Sequence, residues 1–328
     1  MSGTVIKGLE LSERFYEEAV RPMLSERVPA LHERWAAGLV GHGSECYGYD
    51  DAFSADHDYG ADVCIWLTKA DYEAYAPAVQ EAYEAARGAW EQTARERYGV
   101  SPRRQTAQGA GRVGVLEVSA FYYGLLGTDR LPRNNMEWLA LPEERLAAAA
   151  NGRVFADGAG EFLAFREGLL AYYPEDVRRK KMAARAAVMA QSGQYNYARC
   201  MRRGEYVAAE LALAEFVRAA CSLAYLLNRR YCPFYKWMHR GLKDLTVLSE
   251  IGDMLMLLTD VTDSKQKWKA EQADGRLLIV EAVCQVMAQE LRAQGFTTTE
   301  DTYMEAHAVE LTRGIGDEAL RNLHILQG

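Results

Sequence analysis

Gly41-His42-Gly43-Ser44-Glu45-Cys46-Tyr47-Gly48-Tyr49-Asp50-Asp51-Ala52-Phe53-Ser54-Ala55-Asp56-His57-Asp58-Tyr59-Gly60 is the stretch that decides how the chain is read. It follows Ala37-Gly38-Leu39-Val40, short and apolar, which reads as a buried strand entering a turn. Gly43-Ser44 directly after such a strand suits a turn whose backbone N–H groups approach an oxyanion closely. Asp56 and Asp58, two residues apart on extended backbone, project from one face. Unpaired, such carboxylates repel, and one is driven to take a proton. A divalent cation removes the repulsion, and Mg²⁺ typically takes one or two carboxylates together with substrate phosphates. Asp62 has the same parity and competes for that cluster, although Gly60 favours a bend between them. Asp50 and Asp51, in mid-loop, read as turn or capping residues.

Outward from this loop, residues 61–67 read as a second strand and residues 112–118 as a third. Between them lies a long polar helix, about 69–98, with Tyr72, Tyr75, Val79, Ala82 and Trp90 on its inner face. Residues 101–111 read as a loop. The first 37 residues have helical periodicity, with Pro22 a kink or break and Pro29 opening a second piece. Beyond about residue 135 there is no strand alternation. Helical periodicity runs through 157–172, 175–203, 205–231, 235–259 and 264–294, with two shorter helices in 299–325. The expected fold class is α+β: a small mixed sheet with helices over 1–135, then an all-α helical bundle over 136–328.

A chain of 328 residues suits two domains, at roughly 100–200 residues each. With 49% hydrophobic and 26% charged residues, disordered and low-complexity classes are excluded. No run approaches the roughly 18 apolar residues of a membrane helix, and the start lacks the apolar stretch of a signal peptide. Six cysteines without a CxxC pair signal neither a zinc knuckle nor a disulfide framework, so a reduced cytoplasm is the expected compartment. The 38 basic and 46 acidic residues give a charge of −8, which argues against a general nucleic-acid coat.

Gly-Ser, an eleven-residue gap and Asp-x-Asp, with Gly48 inside the gap and Ser54 before the carboxylates, resemble the signature of the DNA-polymerase-β-like nucleotidyltransferase superfamily. The helical second half is similar to the kanamycin-nucleotidyltransferase-like arrangement within it. Gly43-Ser44-Glu45, Ser54-x-Asp56-His57-Asp58 and Asn228-Arg229-Arg230-Tyr231-x-Pro233-Phe234-Tyr235-Lys236-Trp237 resemble an uncharacterised bacterial family of that superfamily. The resemblance implies that Gly43 and Ser44 hold the β- and γ-phosphates of a nucleoside triphosphate, taken as ATP. It implies Asp56 and Asp58 as catalytic ligands of Mg²⁺ or Mn²⁺. A third acidic residue on a later strand is best matched by Glu117, which could equally be a surface residue at the sheet edge. The chain departs from the pattern at His57, where the superfamily has an apolar residue.

In the helical half, Tyr195, Arg199 and Arg202 fall on one helix face. They form either a nucleotide or acceptor surface, or a solvated face. Tyr235, Lys236 and Trp237 interleave aromatic and basic character, suited to a stacked base and a bound phosphate. The alternative is that Tyr231, Phe234 and Trp237 pack a corner around Pro233. Lys180 and Lys181 read as part of a solvated helix face. Selection of base and acceptor is expected from Arg199, Tyr235 and Lys236, across a cleft facing Asp56 and Asp58.

The leading functional class is a metal-dependent nucleotidyltransferase acting on a small-molecule or protein acceptor. An RNA acceptor requires the basic residues at 178–181, 199–203 and 229–243 to form one strip. The other class is a non-catalytic nucleotide-binding or regulatory protein.

Overall fold

A computed structural model describes residues 6–51, 61–99, 112–259 and 270–328, with side chains in the last segment from residue 275. In chain order the elements begin α1 (Gly8–Phe15), α2 (Arg21–Arg27), β1 (Ala36–Leu39), β2 (Cys64–Leu67), α3 (Lys69–Tyr98), β3 (Gly114–Glu117) and α4 (Val118–Leu126). There follow α5 (Asn135–Ala140), α6 (Glu143–Ala150), β4 (Arg153–Asp157), α7 (Glu161–Leu170), α8 (Glu175–Met189), α9 (Ala198–Arg202) and α10 (Tyr206–Leu227). The last are α11 (Tyr235–Met238), α12 (Ile251–Leu257), α13 (Ala270–Ala293), α14 (Met304–Arg313) and α15 (Glu318–Arg321). The chain divides into two compact units, 1–131 with 145–171, and 132–144 with 172–328.

Among the described residues, the first unit is built on a four-stranded mixed sheet in the order β3-β2-β1-β4. β1 is antiparallel to β2 and β4, and β2 is parallel to β3. Both faces of the sheet are covered, which is why β1 and β2 are apolar throughout rather than alternating. On one face Val63, Ile65 and Leu67 join Phe15, Val79 and Trp90 in a single buried cluster. On the other, Trp66 stacks on Phe162 at 3.8 Å and meets Phe121 edge-on. Each such buried aliphatic or aromatic side chain contributes about 1.5–3 kcal/mol. Thr68 caps α3 by accepting from the Asp71 amide. The inner face of α3 carries Val79, Ala82 and Trp90 as expected, whereas Tyr72 is exposed.

β4 lies in the region where the sequence indicates helix alone. It is a five-residue edge strand, exposed or half-buried along its length, and so has no alternation to read. Its position depends on Gly38 of β1, where a Cβ would stand 2.4 Å from the Arg153 carbonyl oxygen. No other residue permits that approach.

The second unit centres on α8, which continues through a π-helical stretch, Ala190–Tyr197, into α9. The charged run at its start corrects the solvated-face reading, because Arg178, Lys180 and Lys181 are all buried. Arg178 donates to the Leu226 and Leu227 carbonyls at 2.8 and 3.1 Å, at the C-terminal end of α10. There a cation meets the orphan carbonyls and the negative end of the helix dipole. Lys180 Nζ donates to the Leu323 and His324 carbonyls at 3.2 and 2.8 Å. The 235–259 run is not one helix. It breaks into α11, a 3₁₀ turn at Arg240–Asp244 and α12, with Leu248 in the left-handed region at φ 64°. Among the described residues no helix is long and apolar enough to cross a membrane. All six cysteines are free.

Candidate functional site

The turn after β1 is held by one side chain. Asn151 accepts from the Gly41 amide at 3.0 Å and donates to the Gly41 carbonyl at 2.6 Å, extending the sheet pairing past the end of β1. Arg166 fixes Asn151 in turn, donating to its carbonyl at 2.6 Å. Gly41 stands at φ 138°, a conformation that favours glycine. Ser44 then opens a single 3₁₀ turn, with Cys46 N–H donating to the Gly43 carbonyl and Tyr47 N–H to the Ser44 carbonyl, both at 3.1 Å. The amides of Gly43 and Ser44 themselves donate no hydrogen bond among the described residues. Two adjacent free amides at a glycine turn form the kind of concavity that accepts an oxyanion.

Gly43 borders a cavity of about 350 Å³. Leu39, Val40, Leu116 and Phe121 give it apolar walls, and Ala120 and Gly124 of α4 leave its space open. His42, Glu45 and Arg112 supply its polar groups. His42 is exposed, and partial desolvation beside the cavity, with Arg112 and Arg145 adding repulsion, holds its imidazole below its ordinary pKa. An incoming anion would reverse that balance. The Glu45 carboxylate lies against Gly43 and is the group an anion would meet first.

Asp56 and Asp58, and His57 between them, lie outside the described residues. Glu117 is an N-cap: its Oε1 accepts from the Ser119 amide at 2.9 Å and its Oε2 from the Ala120 amide at 2.6 Å. It sits at the end of β3, paired with Leu67 of β2. Its charge is felt by Glu161, whose pKa is raised by burial and then by the Glu117 and Asp157 carboxylates. Asp62 is buried, and it accepts from the Tyr83 hydroxyl at 3.1 Å with Arg87 at 3.6 Å. Its carboxylate is thereby committed towards α3. Asp50 caps α1, accepting from the Gly8 amide at 2.9 Å. Among the described residues no three His, Cys, Asp or Glu side chains are grouped to hold a metal ion.

In the helical unit, Arg199 is exposed and stacks over Tyr195 at 4.7 Å. Lys236 is exposed and stands over Trp237 at 4.8 Å. Tyr235, 76% exposed, lines a second cavity, one that neither Arg199 nor Lys236 borders. Tyr235 and Lys236 are neighbours on α11, while Arg199 lies on α9. Asn228 is a structural clamp that accepts from the Thr246 and Val247 amides and donates to the Val247 carbonyl. Arg229 pairs with Glu175 at 3.2 Å, and Tyr231 packs against Tyr172 and Tyr173. His42 and Arg112 were legible as a histidine between two glycines and as the cation opening a strand, but no sequence rule joins them across such a separation. Lys181, on the wall of the second cavity, is hidden within the charged run 178–181, and Arg185 follows it among alanines.

Residues 138–238 match a family described as a domain of unknown function, DUF4037. That match runs from within α5 through α11. No curated protein and no solved structure matches the chain.

Proposed function

We propose that the chain is a nucleotidyltransferase of the DNA-polymerase-β-like superfamily, with its helical unit playing the part of the second domain of the kanamycin-nucleotidyltransferase-like arrangement. The observation that carries this reading is the pair of free amides at Gly43 and Ser44, on a glycine turn beside a half-apolar cavity with Arg112 and His42. A triphosphate lies with phosphate oxygens on those amides, and the nucleoside finds apolar walls in Leu116 and Phe121. The acceptor is a hydroxyl of a small molecule or protein in the cytoplasm. Its oxygen gives up its proton to water and attacks the α-phosphorus in line, the Pα–O–Pβ bond breaks, and pyrophosphate leaves with the bonding pair. Mg²⁺ or Mn²⁺, held by Asp56 and Asp58 with Glu117 as third carboxylate, supplies neutralisation of the charge that develops on the leaving group. Arg199, Tyr235 and Lys236 contribute to selection of base or acceptor.

Melting the full-length chain with each of the four nucleoside triphosphates, with and without Mg²⁺ or Mn²⁺, tests the site. A triphosphate at a hundredfold excess over its dissociation constant stabilises by about 2.7 kcal/mol. No shift with any of the four would contradict the reading.

A second reading, a non-catalytic nucleotide-binding protein, draws support from Glu117, both of whose oxygens already accept backbone amides. It expects the same thermal shift without release of pyrophosphate.

A further inference from the structure

The cavity of the helical unit has a volume of about 530 Å³, within the range of small-molecule sites. On its wall is Lys181, only 3% exposed. Its ammonium stands over the Tyr173 ring at 5.3 Å and makes no hydrogen bond or ion pair among the described residues. The neighbouring cations of α8 are all satisfied. Arg178 and Lys180 hold carbonyls, and Arg185 donates to Ser222 Oγ at 2.8 Å, Glu143 at 3.0 Å and the Gly328 oxygen at 3.1 Å. Glu143, the buried carboxylate whose field reaches Lys181, is taken by Arg185 and by the Ser222 hydroxyl at 2.7 Å. An aromatic face offsets only part of the desolvation of a buried ammonium. No carboxylate pairs with it directly, although the fields of Glu143 and Glu144 reach it.

The chemistry of the wall defines what supplies it. Glu144, Glu215 and Arg218 are exposed and stand at the rim, while Arg185 and Glu143 cancel each other deeper in. Among the described lining residues, Lys181 is the buried cation with no hydrogen bond or ion pair. A single negative charge balances it. A phosphate dianion would meet Lys181 and the rim Arg218, but also the two rim carboxylates of Glu144 and Glu215. Leu139, Leu141, Val188, Phe234 and Met238 make much of the remaining wall apolar. We propose that this cavity binds a small molecule with an apolar body and one carboxylate, the carboxylate seated on Lys181. All of its lining except Gly328 lies within the residues matched to DUF4037. The proposal stands whether or not the first unit transfers nucleotides.

Ligand-observed NMR on the full-length chain tests it, with 3-phenylpropanoate as the probe, its neutral amide as the matched control and inorganic phosphate as the competing anion. The carboxylate should bind saturably, at least tenfold more tightly than the amide. Lys181→Met should abolish that preference with the melting temperature unchanged or raised, since an isolated buried charge is removed. Ala219→Leu, which fills the cavity and keeps every charge, should block the same binding. Absence of saturable carboxylate binding, equal affinity for the amide, or tighter binding of phosphate would overturn the assignment. So would undiminished carboxylate binding in folded Lys181→Met.

Discussion

The carboxylate of Glu45 covers the backbone of Gly43, so that a Cβ on Gly43 would stand 2.3 Å from Glu45 Oε1. Whatever uses the Gly43 amide must first face that negative charge. In a half-buried site, repulsion between a phosphate and a carboxylate a few ångströms apart is about 1 kcal/mol or more. Glu45→Gln should therefore raise ATP affinity about fivefold, measured by calorimetry in the absence of metal. Gly43→Ala should lose affinity while melting normally, because the clash falls on the mobile end of a side chain. Unchanged affinity in both variants would remove the anion from this turn.

Asp56→Asn and Asp58→Asn should each abolish nucleotidyl transfer and leave the protein folded. Neutralising one of two repelling carboxylates costs no stability in the absence of metal. Near-parental turnover of either variant with Mg²⁺, under saturating triphosphate, would dismiss the metal assignment.

Glu117 can be dissected through its cap. Glu117→Ala removes the acceptor for two amides of α4 and should cost about 1 kcal/mol in urea denaturation. Glu117→Ser restores a capping oxygen without a carboxylate, so it should recover most of that stability. Turnover should fall in both, as the third-carboxylate role requires. Recovery of turnover with stability in the serine variant would reduce Glu117 to a cap.

His42 supplies a pH signature. Its pKa is lowered in the free protein by partial desolvation and by Arg112 and Arg145. Its contribution to stability is therefore present above about pH 6.5, the unfolded value, and lost as the pH falls below it. A bound triphosphate raises the pKa again, so binding takes up a proton. ATP affinity should rise between pH 8 and pH 6 more steeply in the parent than in His42→Gln, a comparison that cancels the titration of ATP itself. Identical profiles would place the phosphates away from His42.

What was legible in the sequence followed local periodicity. α3 spans Lys69–Tyr98 as its apolar spacing indicates, β2 and β3 lie within the apolar runs that suggested them, and β1 begins at Ala36, one residue ahead of its run. β4 escaped because its definition is non-local: an exposed edge strand paired with β1 through Gly38 leaves no pattern of its own. The basic run of α8 was misread for a related reason. Its partners are carbonyls at 226–227 and 323–324, invisible to a rule that assigns clustered charge to water. Asp50 was legible as a capping residue, although the helix it caps begins 42 positions away. Tyr235 lies on a cavity wall as an exposed aromatic, but the buried Lys181 of that wall was hidden in the run.

Nucleotidyl transfer itself is tested most directly by the fate of the two ends of the triphosphate. Full-length protein is incubated with Mg²⁺, a bacterial metabolite and protein extract, and ATP labelled on either the α- or the γ-phosphorus. Transfer of the α-label to an acceptor, with the γ-label appearing only in pyrophosphate and both signals absent in Asp56→Asn, is the predicted result. Transfer of the γ-label, or no α-label on any acceptor while ATP is bound, would contradict it.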